Sequence, residues 1–218
     1  MTNEEIKKRI ANVAKSSTFS NILRTYDLGN KKVLDIGCSY GEFLVKFGSG
    51  SMGVTVNDRE VEWGKTNNVN IQLGNIEESF DTEEKFDSIF ANNIFEHMLA
   101  PHLFLIKIKR FLKEDGLLIL GVPCVPYAFP LVVFKKFNGF KSPAHVNFFN
   151  KYTLGKTVEY AGWTVVENRG FVFRNKFLDM FVDLICPHFY VVAKINKSFK
   201  YDDKRLVELS GYKEIYKI

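Results

Sequence analysis

Residues 33 to 43 read Val-Leu-Asp-Ile-Gly-Cys-Ser-Tyr-Gly-Glu-Phe, a short apolar run that ends in an acid and then in glycines spaced to open a helix. Val33, Leu34 and Ile36 suit a buried parallel strand, and Gly37 and Gly41 permit a tight turn and a close backbone approach that a Cβ would obstruct. In open α/β sheets ligands bind where the strands end, at turns that present unpaired N–H groups. Asp35, at the strand's carboxyl end, therefore marks the entrance to a nucleotide-type cofactor site. The spacing Gly-x-Ser-x-Gly lacks the third glycine of the dinucleotide fingerprint, which argues against phosphate binding as this loop's task.

Downstream, apolar runs alternate with helical patterns: strands over 33–37, 52–56, 70–73 and 86–91, helices over 41–47 and 59–66. Such alternation predicts βαβ units and a parallel sheet. Pro101 begins a helix that buries Leu103, Phe104, Ile106, Ile108, Phe111 and Leu112, and Gly116 ends it before a strand over 117–122. Residues 123–150 carry Pro123, Pro126, Pro130 and Pro143 amid aromatics. That segment is too long for a simple connection and reads as an insertion over the active site. Helices over 151–161 and 176–185 and strands over 162–167 and 188–195 follow, and the mixed-charge tail from Asn196 ends in a short helix. Ahead of the loop, residues 3–15 and 17–25 have helical spacing, with Asn3 and either Ser17 or Thr18 as caps, and are expected to roof the site.

A chain of 218 residues fits a single domain. No run approaches the ~20 apolar residues of a membrane span and no leader pattern opens the chain, so a cytoplasmic location is expected. Cys38, Cys124 and Cys186 are odd in number and widely spaced in apolar settings, which predicts reduced buried thiols. A net charge of +5 is well short of a polybasic nucleic-acid arm. The 21 phenylalanines concentrate after residue 125 and point to an apolar lid or contact surface.

The glycine loop resembles the first motif of the class I S-adenosylmethionine-dependent methyltransferases, usually Asp-x-Gly-x-Gly-x-Gly, with Ser39 at the middle glycine. Phe86-Asp87-Ser88-Ile89-Phe90-Ala91-Asn92-Asn93 is similar to that family's fourth strand and the bend after it, and Lys113 to Leu120 to the turn into its fifth. The resemblance spans roughly residues 30 to 170, and most closely suits a branch acting on small molecules and sugars. It implies an α/β fold: a doubly wound, mostly parallel seven-stranded Rossmann-like sheet with an antiparallel last strand, helices on both faces and an aromatic lid insertion. Within the single domain, 1–29 would form N-terminal helices, 30–122 the cofactor-binding core, 123–150 the substrate-side insertion and 151–218 the closing elements.

By the same resemblance, Gly37, Cys38, Ser39 and Gly41, aided by Asp35, hold the methionyl part of S-adenosylmethionine, with Asn92 beside its amino acid group. The acid that commonly ends the second strand and bridges the ribose hydroxyls is replaced by Thr55, followed by Val56, and Asn57 or Asp58 is left to substitute or to cap the next helix. Asn75 stands where an adenine-contacting Asp is common, and Ile76 would flank the ring.

A hydroxyl acceptor needs its proton removed, and an imidazole titrates near working pH. The candidate bases are His97, in Asn93-Ile94-Phe95-Glu96-His97, and His145, in Ala144-His145-Val146-Asn147-Phe148-Phe149; either could instead brace its own loop. The latter stretch, with Tyr152-Thr153-Leu154 and Ala161-Gly162-Trp163, resembles the later signature of methyltransferases acting on sugars and related small molecules. His102 and His188 have no motif support and read as structural. Ubiquinone-pathway O-methyltransferases and RNA end-methylating enzymes use Glu-x-x-Glu-His to bind a divalent cation; here Asn93 replaces the first Glu. No resident metal is therefore expected, and Glu96, His97 and His145 are the residues left that could hold one.

The insertion carries Tyr127, Phe129, Phe134, Phe137, Phe140, Phe148 and Phe149 with Lys135, Lys136 and Lys141. Its aromatics can stack on a nucleotide-linked or lipid-linked sugar while lysines meet the phosphate, lie on a membrane surface, form a dimer contact, or pack as a lid on their own domain. The expected activity is O-methylation of a small molecule or saccharide by a monomer or homodimer. The alternatives are an RNA or N-methyltransferase, or a non-catalytic binding protein of the same fold.

Overall fold

Val33 and Leu34 face opposite sides of one sheet and meet different hydrophobic layers, so β1 (Val33–Ile36) is buried on both faces. The same alternation runs through β4 (Phe86–Asn92), where Phe90 joins one layer and Ile89 and Ala91 the other, and through β5 (Leu112–Pro123), where Ile119 opposes Leu118 and Leu120. Strands buried on both faces belong to a parallel sheet covered by helices on each side. This computed structural model describes residues 1–126 and 129–211, so the expectation for Tyr127, and for the side chain of Phe129, lies outside the described residues.

With β2 (Met52–Thr55), β3 (Ile71–Leu73), β6 (Trp163–Arg169) and β7 (His188–Ile195), the sheet has seven strands in the order β3-β2-β1-β4-β5-β7-β6. The pairs β1–β2, β1–β4, β2–β3 and β4–β5 are parallel, and β7 is antiparallel to both β5 and β6. The helices are α1 (Asn3–Lys15), α2 (Ser17–Thr25), α3 (Asp58–Thr66), α4 (Pro101–Ile108), α5 (Lys151–Tyr160), α6 (Lys176–Val182) and α7 (Asp203–Ser210). Among the described residues no helix is long and apolar enough to cross a membrane. All three cysteines are free and buried.

Several local expectations are corrected. The caps of the first two helices are Thr2, which forms a capping box with Glu5, and Ser16, each one position or more before the residues expected. Residues 41–47 are not an α-helix but turns and a short 3₁₀ segment, Leu44–Lys46. Phe43 and Phe47 instead pack with Phe19 around Phe90, at ring separations of 4.8 to 6.0 Å. The helix from Pro101 stops at Ile108, passes through a 3₁₀ turn at Lys109–Phe111 and enters β5 at Leu112, so Gly116 lies inside a strand rather than at a helix end. Phe86 pairs with Leu112 and Ser88 with Leu117, so residues 113–116 bulge out of the ladder. Likewise α6 ends at Val182 and continues only as 3₁₀ through Ile185.

The insertion is half core and half surface. It forms 3₁₀ segments at Phe129–Val133 and Lys135–Lys141; Phe137 and Phe149 are buried, while Phe134 and Phe148 are exposed. Phe149 stacks on Phe95 at 5.1 Å, and the Val146 and Asn147 N–H groups both donate to the Glu96 carbonyl at 3.0 Å. These bonds stitch the end of the insertion to the segment that follows β4.

Candidate active site

The parallel strands end at one edge of the sheet, and two cavities open there on either side of the glycine loop. The first, about 310 Å³, is lined by Gly37, Ser39, Thr55, Val56, Asn57, Asn75 and Ile76 among the expected cofactor residues, with Ile94 and Met98 on its far wall. The second, about 430 Å³, is lined by Gly37, Cys38, Ser39 and Asn92 from the loop and β4, and by Arg9, Asn12 and Val13 of α1. Gly37 and Ser39 border both. Gly41 borders neither: at φ +76° it makes the turn, and a Cβ there would lie 2.9 Å from Val69.

The loop's backbone explains its composition. Gly37 sits at φ +72°, where a Cβ would come within 3.0 Å of the Ile94 side chain, and Ser39 holds φ +49°, a left-handed conformation that glycine adopts more readily. Gly37→Ala is expected to cost about 1–2 kcal/mol in the left-handed region and to push Ile94 into the cavity. Thermal denaturation and calorimetry with S-adenosylhomocysteine should show both a lowered midpoint and weaker binding.

Asp35 is buried at the end of β1, its Oδ2 has no hydrogen-bond partner, and burial together with the nearby Glu42 charge raises its carboxyl well above the usual range. Glu42, also buried, has its carboxyl raised by burial against the pull of Arg9, with which it is ion-paired at 2.8 Å. The Asn92 Oδ1 is buried without a partner as well. Asn92 lines the second cavity, whereas Asp35 borders neither; an unpartnered buried acceptor at a cavity wall suits an ammonium group, which would satisfy it. The residues present thus fit a cofactor with a cationic amino acid end.

At the other cavity, the residue that sequence reading missed is Glu60. Asn57 is occupied as the cap of α3, its Oδ1 accepting the Arg59 N–H at 3.1 Å, and Asp58 is exposed in the first turn. Glu60, one step further along, turns its carboxylate back to the strand end. Its Oε2 accepts from the Thr55 hydroxyl and its Oε1 from the Ser39 hydroxyl at 3.2 Å. An acid thus does stand at the end of β2, carried by the helix after it rather than by the strand. The signal in the sequence was an acid in the first turn of α3, where Asp58 and Glu60 compete. Arg9, too, gave no sign beyond a charge on a helix.

Beyond Ile94 lies a cluster of three titratable groups. Glu96 is buried, neither of its carboxylate oxygens has a hydrogen-bond partner, and burial pushes its carboxyl up to about 7 against the pull of the nearby His97. His145 Nε2 lies 3.7 Å from Glu96 Oε1, and the two imidazoles meet edge to face at 4.6 Å between centroids. One donor atom from each of Glu96, His97 and His145 falls within 4.8 Å of the others. His97 Nδ1 lies 2.9 Å from the Ala144 carbonyl, which can only accept, so Nδ1 carries the proton and Nε2 is left as the basic nitrogen. Burial and the neighbouring His97 lower the pKa of His145.

His188 braces the chain beside the site. Its Nε2 meets Asn93 Oδ1 at 2.8 Å, burial lowers its pKa to about 4, and it fixes the bend after β4 on which Asn92 sits. Asn93 is thereby committed to His188. His102 instead meets the Tyr201 hydroxyl at 3.2 Å, away from both cavities.

A seven-stranded sheet of this order, with a glycine loop after its first strand and cavities on both sides of that loop, is the architecture of a Rossmann-like methyltransferase domain. The family described as "Methyltransferase domain" matches residues 7–168, and the chain belongs to it. Its cofactor is S-adenosylmethionine. Among curated relatives, the chain is 36% identical over 107 residues to (S)-coclaurine N-methyltransferase of Papaver somniferum, covering 43% of this chain and 30% of that protein. It is 32% identical over 112 residues to the ubiquinone biosynthesis O-methyltransferase of Glaesserella parasuis serovar 5, covering 45% and 48%. The matched segments thus span less than half the length of these curated relatives. Among solved structures, the CcbJ methyltransferase of Streptomyces caelestis superposes with a TM-score of 0.61 at 14% identity, covering 82% of this chain and 89% of that one, which speaks to the fold.

Proposed function

We propose that this protein transfers the methyl group of S-adenosylmethionine to a hydroxyl oxygen of a small molecule or saccharide. The observation that carries the reading is the Glu96–His97–His145 cluster, a buried unpartnered carboxylate beside two imidazoles, set between Ile94 and Met98 of the cofactor cavity wall. An amine acceptor with a free lone pair needs no such base, whereas a hydroxyl does. When bound, S-adenosylmethionine supplies an electrophilic methyl carbon on a sulfonium.

The chain's own residues do the rest. Asp35, Asn92, Glu42 and Arg9 hold the amino acid end, Glu60 with Thr55 takes the ribose hydroxyls, and Asn75 and Ile76 address the adenine. Cys38 and the loop N–H groups fix the backbone from which these contacts radiate. His97, through Nε2, removes the acceptor proton, and the Glu96 charge stabilises the imidazolium that results. His145 completes the electrostatic balance of the pair.

A second reading is favoured by the three donor atoms themselves: a divalent cation among Glu96, His97 and His145 would lower the acceptor hydroxyl's pKa directly. One experiment addresses both. Radiolabelled methyl transfer from S-adenosylmethionine to a panel of hydroxyl-bearing small molecules, amines and total RNA should label the hydroxyl compounds. His97→Gln should lower that rate by about 10²–10⁴-fold with S-adenosylhomocysteine affinity kept. An unchanged rate on chelation favours the base, and a loss restored by Mg²⁺ or Mn²⁺ favours the cation. Labelling confined to RNA or amines would overturn the acceptor class.

A further inference from the structure

Helix α6 and the 3₁₀ turn after it carry their acids inward and their apolar side chains outward, the reverse of an ordinary surface helix. Asp179 is fully buried, paired with Arg169, and accepts the Phe173 N–H at 2.7 Å. Asp183 is buried as well, paired with Lys151, and accepts the Gly170 N–H at 3.2 Å. Facing solvent are Phe177, Met180, Phe181 and Leu184, each between 61% and 76% exposed. An apolar patch of this kind marks an interaction surface.

The patch reaches the insertion. Because β7 is antiparallel to β5, with His188 opposite Pro123, the chain leaving β5 and the chain entering β7 emerge at the same edge of the sheet. There the Cys124 N–H donates to the Pro187 carbonyl at 2.9 Å, which ties the start of the insertion to the segment that follows α6. Val133 and Phe134, 75% and 54% exposed, add to the apolar surface.

Its charge is of one sign. Residues 123–150 contain no Asp or Glu, and the only acids between 170 and 187 are the buried Asp179 and Asp183. Lys135, Lys136, Arg174 and Lys176 are exposed, and none is in an ion pair among the described residues. A second copy docking through the same face would set cations against cations. An anionic bilayer presents the complement, phosphate headgroups over an apolar interior.

We propose that this face, α6 with the Val133–Lys136 turn, docks on the surface of an anionic phospholipid membrane. The aromatic and aliphatic side chains enter the acyl boundary and the four cations meet the headgroups. This goes beyond the catalytic reading and does not depend on it.

Flotation of the full chain with phosphatidylcholine vesicles, and with vesicles of phosphatidylcholine and phosphatidylglycerol, tests the proposal. The protein should float with the anionic vesicles and remain behind with the zwitterionic ones. Phe181→Asp combined with Leu184→Asp should lower the bound fraction about tenfold or more, with S-adenosylhomocysteine affinity and melting midpoint unchanged. Failure to float with anionic vesicles, or undiminished flotation of the double variant, overturns it. A dimer seen by light scattering in the wild type, dissolved in the double variant and accompanied by no vesicle binding, would overturn it in favour of a second copy.

Discussion

Glu96→Gln is expected to lower methyl transfer by about 10²-fold or more and, in chelator-treated protein, to make the fold more stable above pH 7. Both effects come from one buried carboxyl whose two oxygens lack partners. Its pKa stands at about 7 in the folded chain against 4.5 as the ordinary value. Between those pH values the folded state binds the proton that the unfolded state releases, so this group's stability contribution is complete below the ordinary pKa. It is lost as pH rises through the folded one, with a slope approaching 1.4 kcal/mol per pH unit at most, or about 1 in practice. Glutamine keeps the volume and removes the titration. The stability difference between variant and wild type should therefore be small near pH 4.5, grow through the neutral range and level off above about 7. Urea denaturation across that range checks it. Parallel curves for the two proteins would mean that Glu96 does not carry a buried proton, and a variant with full activity would remove the carboxylate from the chemistry.

The strand-loop core was legible because its signals are local. Val33 to Gly41 encodes burial, turn and ligand approach within nine positions, and β7 was read with the bounds it has in the structure. The misread segments were decided by partners far away in sequence. Residues 41–47 have a helical composition, but one α-turn bond, Val45 N–H to the Gly41 carbonyl at 3.2 Å, cannot offset nucleation, and the Gly48 N–H is drawn at 3.0 Å to the Leu28 and Lys31 carbonyls. Aromatic packing on Phe90 then takes the place of the helical ladder. Gly116 carried a helix-stop signal that the structure uses as a bulge in β5, because Leu112 finds Phe86 across the sheet first. His97 and His145 lie 48 positions apart, and the tertiary stitch between the Glu96 carbonyl and residues 146–147, with the Phe95–Phe149 stack, brings them together. α6 was read as an ordinary closing helix, since nothing in its sequence tells which way Asp179 points until Arg169 is placed.

Glu60→Ala is expected to weaken S-adenosylhomocysteine binding by about 30- to 100-fold, the size of losing hydrogen bonds to a charged group worth about 2–3 kcal/mol. The resemblance assigns the ribose to an acid at the end of β2, and that position holds Thr55. The Thr55 hydroxyl already donates to Glu60 and accepts the Asn57 N–H at 3.2 Å, which leaves a single lone pair for two ribose hydroxyls. The carboxylate we propose for that role is Glu60, half-buried at the cavity wall and steadied by Thr55 and Ser39. Thr55→Asp in the Glu60→Ala background separates this from a merely structural role. An aspartate at the strand end restores the acid where related domains place it, so binding should recover while the Ser39 and Thr55 links to Glu60 stay broken. If the double variant binds no better than Glu60→Ala, Glu60 acts by holding Ser39 in its left-handed turn at φ +49° rather than by meeting the ribose. In that case Ser39→Gly, which holds the same turn without a side-chain partner, should rescue affinity instead.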